Sequence, residues 1–495
     1  MNRNSLTTAV VAGIAGVVGI ANMANAVNLN PDGLGQVLLY PYYTTNAGQQ
    51  TLISVVNTTN VGKAVKVRFL EGHNSREVLD FNLFMSPFDV WTANVFALSD
   101  AGVSGGGAGI FTNDNSCTAP ALTESTTPGG LSYVGFRDYY YTGSNTDSGP
   151  TTLDRTQEGH FEMISMGDIT GATLLADITH KNGVPPGCAK AETDFEASSF
   201  AAIVAPTSGL FGAASVVNVA NGTYYAYNAD AIDGFTAVPL GFTTGSLFPS
   251  LSNVNDAGGS TATSYVFNNG ALLTSPYSLG AGQGIDAVSS IFAATNVYNE
   301  WQSAADGSVG SDWVVTFPTK RFYVDPLITS STSAIAPFTE VFGGLACNNS
   351  GCAYTDPDNS CVGISATLFD REEGTYTAQG CTFSPCPPGQ PGSAICKETN
   401  VISFLADGTA PDILGSSLRL NLKPFGSAGW ANLAFTGAVP FRAANNGNVF
   451  QGLPVTGFEA VNFVNGNLGG VLANYSGVYR HRLARACTNG TGACS

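Results

Sequence analysis

The chain has 495 residues, with 36 acidic against 19 basic side chains, a formal net charge of −17, and only 11% of its residues charged at all. That balance excludes a nucleic-acid binder, because affinity for phosphate backbones rests on clustered Lys and Arg. Apolar residues at 44%, with 29 Phe and 18 Tyr, exclude a disordered chain, while 59 Gly and 24 Pro predict many turns between short strands.

In chain order, the first feature is Arg3, then an apolar stretch from Ala9 to Ile20, then Met23-Ala24-Asn25-Ala26. A positive residue, a short apolar run and small residues at 24 and 26 form a secretory signal pattern, so residues 1–26 are expected to be removed after Ala26. The run is shorter than the roughly 20 apolar residues of a spanning helix. No later stretch of that length is free of charges and turn residues, so no transmembrane segment is expected after cleavage. The mature protein is expected to be exported, to the periplasm, the cell surface or the extracellular space.

From 36 to 97 come Gln36 to Tyr43, Thr51 to Thr58, Ala64 to Leu70, Val78 to Phe84 and Asp89 to Phe96, β-rich runs separated by short polar turns. In Val65-Lys66-Val67-Arg68-Phe69 and Leu79-Asp80-Phe81-Asn82-Leu83 apolar and polar residues alternate, as in strands with one face in a core. The fold class expected is mainly β, an antiparallel sandwich with a few short helices. The layout of Ser54-Val55-Val56-Asn57-Thr58, Ala64 to Phe69, and Ser86-Pro87 before Asp89 to Ala93 resembles immunoglobulin-like modules of bacterial surface proteins. The resemblance is one of pattern and assigns no functional residue. It implies either an immunoglobulin-like domain over 27–100 or the first strands of a larger sandwich.

Residues 101–130, with Gly105-Gly106-Gly107, read as a loop or linker. A central β-rich region is expected over 131–345, with strands in Tyr133 to Tyr141, Gly159 to Met166 and Phe200 to Val219. Within it, Ile285, Val288, Ile291, Phe292 and Tyr298 are spaced for a helix from 285 to 301, with Asp286 in its first turn. Trp313 to Phe317 and Arg321 to Val324 flank Pro318-Thr319-Lys320 as in a hairpin. A Cys-rich stapled loop is expected over 346–400. The C-terminal segment, 401–495, should hold strands in Val401 to Leu405, Ser417 to Leu422 and Gly429 to Phe435, then a basic end. No fixed internal period is present, which argues against a solenoid or propeller.

After cleavage ten cysteines remain, at Cys117, Cys188, Cys347, Cys352, Cys361, Cys381, Cys386, Cys396, Cys487 and Cys494. No C-x-x-C pair occurs, so the set reads as disulfides and not as a zinc site. Isolation along the chain favours Cys487 with Cys494, Cys117 with Cys188, and the middle six among themselves. Chain entropy assigns the first loop about 2.5 kcal/mol and the second about 4.4 kcal/mol.

The one G-x-S-x-G match, Gly102-Val103-Ser104-Gly105-Gly106, lies in the Gly-rich stretch read as a loop or linker and not at a strand-to-helix turn, which lowers the odds of a serine hydrolase. His73, His160, His180 and His481 are the four histidines, and His160-Phe161-Glu162 with Asp168, Asp177 and His180 is the candidate zinc or acid-base set. Glu372 with Glu373, Asp356 with Asp358, and Glu158 with Glu162 are the carboxylate pairs considered for glycoside hydrolysis. No cofactor is required by the sequence; calcium, which takes several oxygen ligands, is a candidate at Asp230 and Asp233 or at Asp356 and Asp358, although neither segment matches an EF-hand loop and an ordinary solvated turn is the alternative. Arg480, Arg482 and Arg485 form a candidate anion site. Tyr40-Pro41-Tyr42-Tyr43 and Tyr139-Tyr140-Tyr141 are candidate sugar-stacking platforms, core packing being the usual role of such strand aromatics.

These readings lead to a non-enzymatic exported protein with a structural or adhesive role in a surface layer, fibre or matrix. Self-association through strand pairing by Val27 to Tyr43, calcium, or a cell-surface glycan would supply the contacts. The alternatives are a secreted carbohydrate-binding or carbohydrate-cleaving protein, and a periplasmic ligand or metal binder.

Overall fold

A computed structural model describes residues 26–256, 259–343, 345–348, 351–354, 359–378, 394–405, 413–422, 424, 426–468, 471–490 and 492–494. The chain is mainly β, built of antiparallel sheets with a few short helices and disulfides, a β-sandwich-like fold. The first sandwich uses β1 (Asn28–Leu29), β2 (Val37–Thr44), β3 (Gln50–Asn57), β4 (Gly62–Glu71), β5 (Glu77–Met85), β6 (Val90–Ala97), β7 (Ala108–Phe111), β8 (Cys117–Ala119), β9 (Ser125–Thr126), β10 (Ser132–Gly135), β11 (Glu158–Ile169), β12 (Ile203–Val204), β13 (Leu210–Asn218), β14 (Thr223–Asn228) and β15 (Asp230–Asp233). One sheet runs β1-β15-β2-β11-β4-β5-β8, with β12 on β11, and the facing sheet runs β14-β13-β3-β6-β7-β10-β9.

The alternation seen in sequence places these strands. Val65, Val67 and Phe69 of β4, Phe81 and Leu83 of β5 and Phe161 and Met163 of β11 enter one core with Ile53, Val55, Trp91 and Val95 of the facing sheet. The intervening residues point the other way, yet β4 and β11 are buried along their whole length, because further structure packs on that second face. Gly159 permits the close approach at the centre. A Cβ there would lie 2.0 Å from the Leu70 carbonyl oxygen.

The second face of the first sheet continues through a hairpin (Thr261–Asn268 with Ala271–Ser278) and the helix Gly284–Ile291 into a second sandwich, in one shared apolar core. One of its sheets orders Thr375–Ala378, Val362–Asp370, Ala428–Phe435, Asn296–Gln302 and Arg482–Ala484. The other orders Arg419–Asn421, Thr399–Ser403, Val309–Thr316, Thr456–Leu468 and Val471–Arg480. Trp301, Trp313 and Phe404 fill the space between them, with Trp301 and Phe404 stacked at 6.2 Å. Phe458 reaches from the second sandwich to stack on Tyr227 of the first at 4.7 Å.

Several expectations change. Strands before residue 100 share both sheets with strands as late as β15, so the N-terminal segment supplies the first strands of a larger sandwich. Residues 101–130 contribute β7, β8 and β9 to those sheets, since backbone pairing can use Gly-rich sequence where neighbouring strands offer a free edge. The helix expected over 285–301 stops at Ile291, and Asn296–Gln302 is a strand whose Val297 and Trp301 are wanted by the second core. Residues 321–324 form a helical turn and not a hairpin arm. Val27 and β1 do not project as a free edge: Val27 is fully buried and bridges Ser264, and β1 pairs with β15. β2 lies between β15 and β11 in the interior of its sheet.

Cys117 pairs with Cys188, Cys361 with Cys396, and Cys487 with Cys494. Cys347 and Cys352 are register partners in a short ladder, while Cys381 and Cys386 lie outside the described residues. Among the described residues no helix is long and apolar enough to cross a membrane.

Candidate functional site

At the edge of the first sandwich, beyond β5 and β8, a cleft of about 410 Å³ opens. Glu77 to Phe81 of β5 form its floor, Pro120 to Leu122 one wall, and Arg137, Tyr139 and Tyr140 the other. The tyrosine wall is held from three directions. The Arg137 amide donates to the Val78 carbonyl at 2.7 Å, extending the β5 ladder. The Arg76 guanidinium donates to the carbonyls of Tyr140 (2.9 Å) and Asn145 (3.2 Å). Tyr141 is buried, its ring 4.4 Å from the Arg155 guanidinium and its hydroxyl donating to the Thr152 carbonyl at 3.2 Å. With Tyr141 as anchor, Tyr139 and Tyr140 are left for the cleft, meeting edge to face at 5.1 Å, and Tyr139 is 66% exposed.

Beneath the floor, period-two alternation brings charges onto one face. Arg68 of β4 is the register partner of Asp80 on one side and of Glu162 of β11 on the other. Arg68 pairs with Glu77 at 2.6 Å and with Glu162, and Lys66 pairs with Asp80. Three carboxyl groups thus share two cations in a nearly dry site. Burial pushes the Glu77 carboxyl up to about 7, against the pull of Arg68 and helped by the hydrogen-bonded Asp80 beside it. Burial likewise raises Glu162, with Arg68 opposing. A proton is therefore retained next to the cleft near neutral pH, which relieves the excess negative charge. At the rim Arg137 pairs with Glu124, both exposed.

A rigid aromatic wall beside carboxyl and guanidinium groups is the chemistry that recognises a polyhydroxylated ring, apolar C–H face on the tyrosines and hydroxyls on the polar groups. Glu77, Asp80 and Glu124 each have a cation partner, and no histidine lines the cleft.

The residues singled out from sequence are distributed elsewhere. His160 is fully buried beneath the sheet, where burial lowers its imidazole to about 3. Asp168 is bound by Lys63 (2.9 Å) and by the Thr207 hydroxyl (2.6 Å), so the His160 set does not converge. His180 meets Ser86 Oγ at 3.0 Å and Asp89 at 3.9 Å, both through Nδ1. A serine triad has its serine and its aspartate on opposite ring nitrogens, an arrangement this grouping does not have. Glu158 accepts from Tyr42, Asn46, Ser416 and Ser417, tying the first sandwich to the 413–422 segment.

Asp230 pairs with Arg480 and accepts from the Thr456 hydroxyl, and Asp233 accepts the Gly234 amide at 2.8 Å. Two of the candidate sites therefore meet, the proposed calcium ligand neutralising the proposed anion ligand. Asp356 and Asp358 lie outside the described residues. Among the described residues no group of three or more His, Cys, Asp or Glu is arranged to hold a metal. Arg482 is exposed and donates to the Arg480 carbonyl (3.2 Å), while Arg485 donates to the carbonyls of Ile291 and Ala293 (3.2 Å each) at the end of the helix Gly284–Ile291. The three arginines do not form one site. His481 is buried between Trp313 and the Val314 carbonyl, and burial lowers it to about 4.

The chain matches no protein family, no curated protein and no solved structure. Of the cleft residues, Tyr139 and Tyr140 were visible in sequence as a candidate platform. Glu77, Asp80, Glu124 and Arg137 were not. The available signal was the pair of cations, Lys66 and Arg68, on a strand of a chain so poor in charge.

Proposed function

We propose that this chain is an exported, non-enzymatic adhesive protein that holds neutral glycans at the cell surface or outside the cell through the Tyr139/Tyr140 cleft. The observation that carries the reading is a tyrosine wall fixed by Tyr141 and Arg76 over carboxyl groups that are already ion-paired. The cleft volume falls within the range of small-ligand sites. The protein's net charge of −17 disfavours uronic or sulfated sugars and favours uncharged ones. The signal pattern and the disulfides support an oxidising location. Assembly by strand donation from Val27 to Tyr43 has less support, because that segment is paired within its own chain.

The test is binding of the mature protein to an immobilised panel of neutral and acidic polysaccharides. Replacing Tyr139 and Tyr140 together by Ala should weaken binding at least about tenfold, the change that roughly 1.4 kcal/mol produces, with an unchanged circular dichroism spectrum. Absence of binding to any neutral glycan, or full binding by the variant, would overturn the proposal.

A further inference from the structure

The second sandwich carries its own aromatic surface, far along the chain from the first cleft. On the outer face of its larger sheet, Phe369, Trp430 and Glu300 form one cross-strand row, Trp430 being the register partner of both others. The rings of Phe369 and Trp430 stack face to face at 4.1 Å with 7° between their planes, and Trp430 remains 42% exposed. The buried Trp301 donates its indole N–H to the Trp430 carbonyl at 3.2 Å, fixing the strand beneath. The indole is thus immobilised before anything binds, which removes the entropy cost of ordering it. Beside it lies a cleft of about 370 Å³ bordered by Glu300, Gln302, Asp370 and Arg371.

Cross-strand packing accounts for the contact between Phe369 and Trp430. It does not account for a half-open indole next to a cleft edged by four hydrogen-bonding side chains. We infer that this surface is a second glycan site, which takes a neutral hexopyranose unit against Trp430 with its hydroxyls on Glu300, Gln302, Asp370 and Arg371. Charge selects the occupant: two carboxylates against one guanidinium disfavour an anionic sugar, and a ring with an apolar C–H face suits the indole. Aromatic side chains with mixed donors and acceptors are the shared feature of the two clefts, so the inference extends the glycan-binding reading and rests on it. Two sites on different sandwiches would let one polysaccharide engage the protein twice, with avidity beyond either site alone.

The experiment is calorimetric titration of the full mature chain with uncharged hexasaccharides of glucose, N-acetylglucosamine and mannose, with tryptophan emission followed in parallel. Wild type should bind two molecules of the preferred sugar. Trp430→Ala should lose one of them, and the Tyr139→Ala/Tyr140→Ala variant should retain the Trp430 site together with its emission change. Trp430→Phe, which keeps the stack on Phe369, should weaken that site by roughly tenfold and leave the melting temperature in place. A single molecule bound, lost with the tyrosines and untouched by Trp430→Ala, would overturn the second site and leave the first. No binding of any of the three sugars would overturn both.

Discussion

Three buried acids make stability fall as the pH rises past neutrality. Burial pushes Glu77 up to about 7, and Glu398 and Glu459 up to about 8, with Arg68, Lys320 and the Ser311 hydroxyl respectively pulling the other way. In the unfolded chain each would ionise near 4.3. Raised in the folded state, each contributes stability that is fully present below that value and is lost as the pH climbs through the folded value. His160, lowered to about 3, and His481, lowered to about 4, work in the opposite sense. Their contribution is complete above about 6.5 and is lost as the pH falls toward 3 to 4. Above 6.5 the acids are therefore unopposed by the histidines, and each proton is worth about 1.4 kcal/mol per pH unit. Between pH 6.5 and 7.5 the loss should approach roughly 3 kcal/mol, since Glu77 is already partly ionised by then. Thermal unfolding followed by near-ultraviolet circular dichroism should show a lower melting point at 7.5 than at 6.5. Glu398→Gln, which has no proton to release, should flatten that dependence by about a third. A melting point that is constant or rises over this interval, or a Glu398→Gln variant as steep as wild type, would refute the reasoning.

Two further perturbations probe the frame behind the cleft. Burial alone would raise the Glu71 carboxyl, yet Arg155 at 2.8 Å, assisted by the amides of His73, Asn74 and Arg76, holds it well below the usual carboxylate range. Arg155→Met leaves Glu71 and Asp147 buried without their main cation and should cost about 3 to 5 kcal/mol in denaturant unfolding, partly recovered by adding Glu71→Gln. Gly159→Ala would drive a Cβ to 2.0 Å from the Leu70 carbonyl, and β4 backbone in the middle of a sheet cannot give way. A loss of about 3 kcal/mol or more is expected in the same assay.

The parts of the fold that were legible in sequence are those whose two faces differ. β2 through β6 fall within two residues of the runs expected from alternation, because Val65, Val67 and Phe69 face a core while Lys66 and Arg68 face charge. Isolated cysteines paired as their spacing suggested, Cys117 with Cys188 and Cys487 with Cys494. Legibility failed where tertiary contacts decide local structure. Tyr298 and Trp301 continue a helical period past Ile291, but the second core needs Trp301 from a strand. The Gly-rich 101–130 segment has little strand propensity and pairs only because β5 and β6 present edges to it. The cleft was half legible for the same reason. Three tyrosines in a row mark a surface or a core equally well, and only Arg155 under Tyr141 separates the anchor from the exposed Tyr139 and the half-buried Tyr140. Glu77 joins Asp80 on that site through a register bulge between Phe69 and Leu70, which no local pattern encodes.

The central claim, that Tyr139 and Tyr140 contact a neutral sugar, is met most directly by nuclear magnetic resonance of the mature protein with selectively labelled tyrosine rings, titrated with the uncharged hexasaccharides. Shifts of Tyr139 and Tyr140, with the buried rings of Tyr141 and Tyr227 unmoved, are the predicted result. Saturable sugar binding that leaves both Tyr139 and Tyr140 unperturbed, or no binding at all, would contradict it.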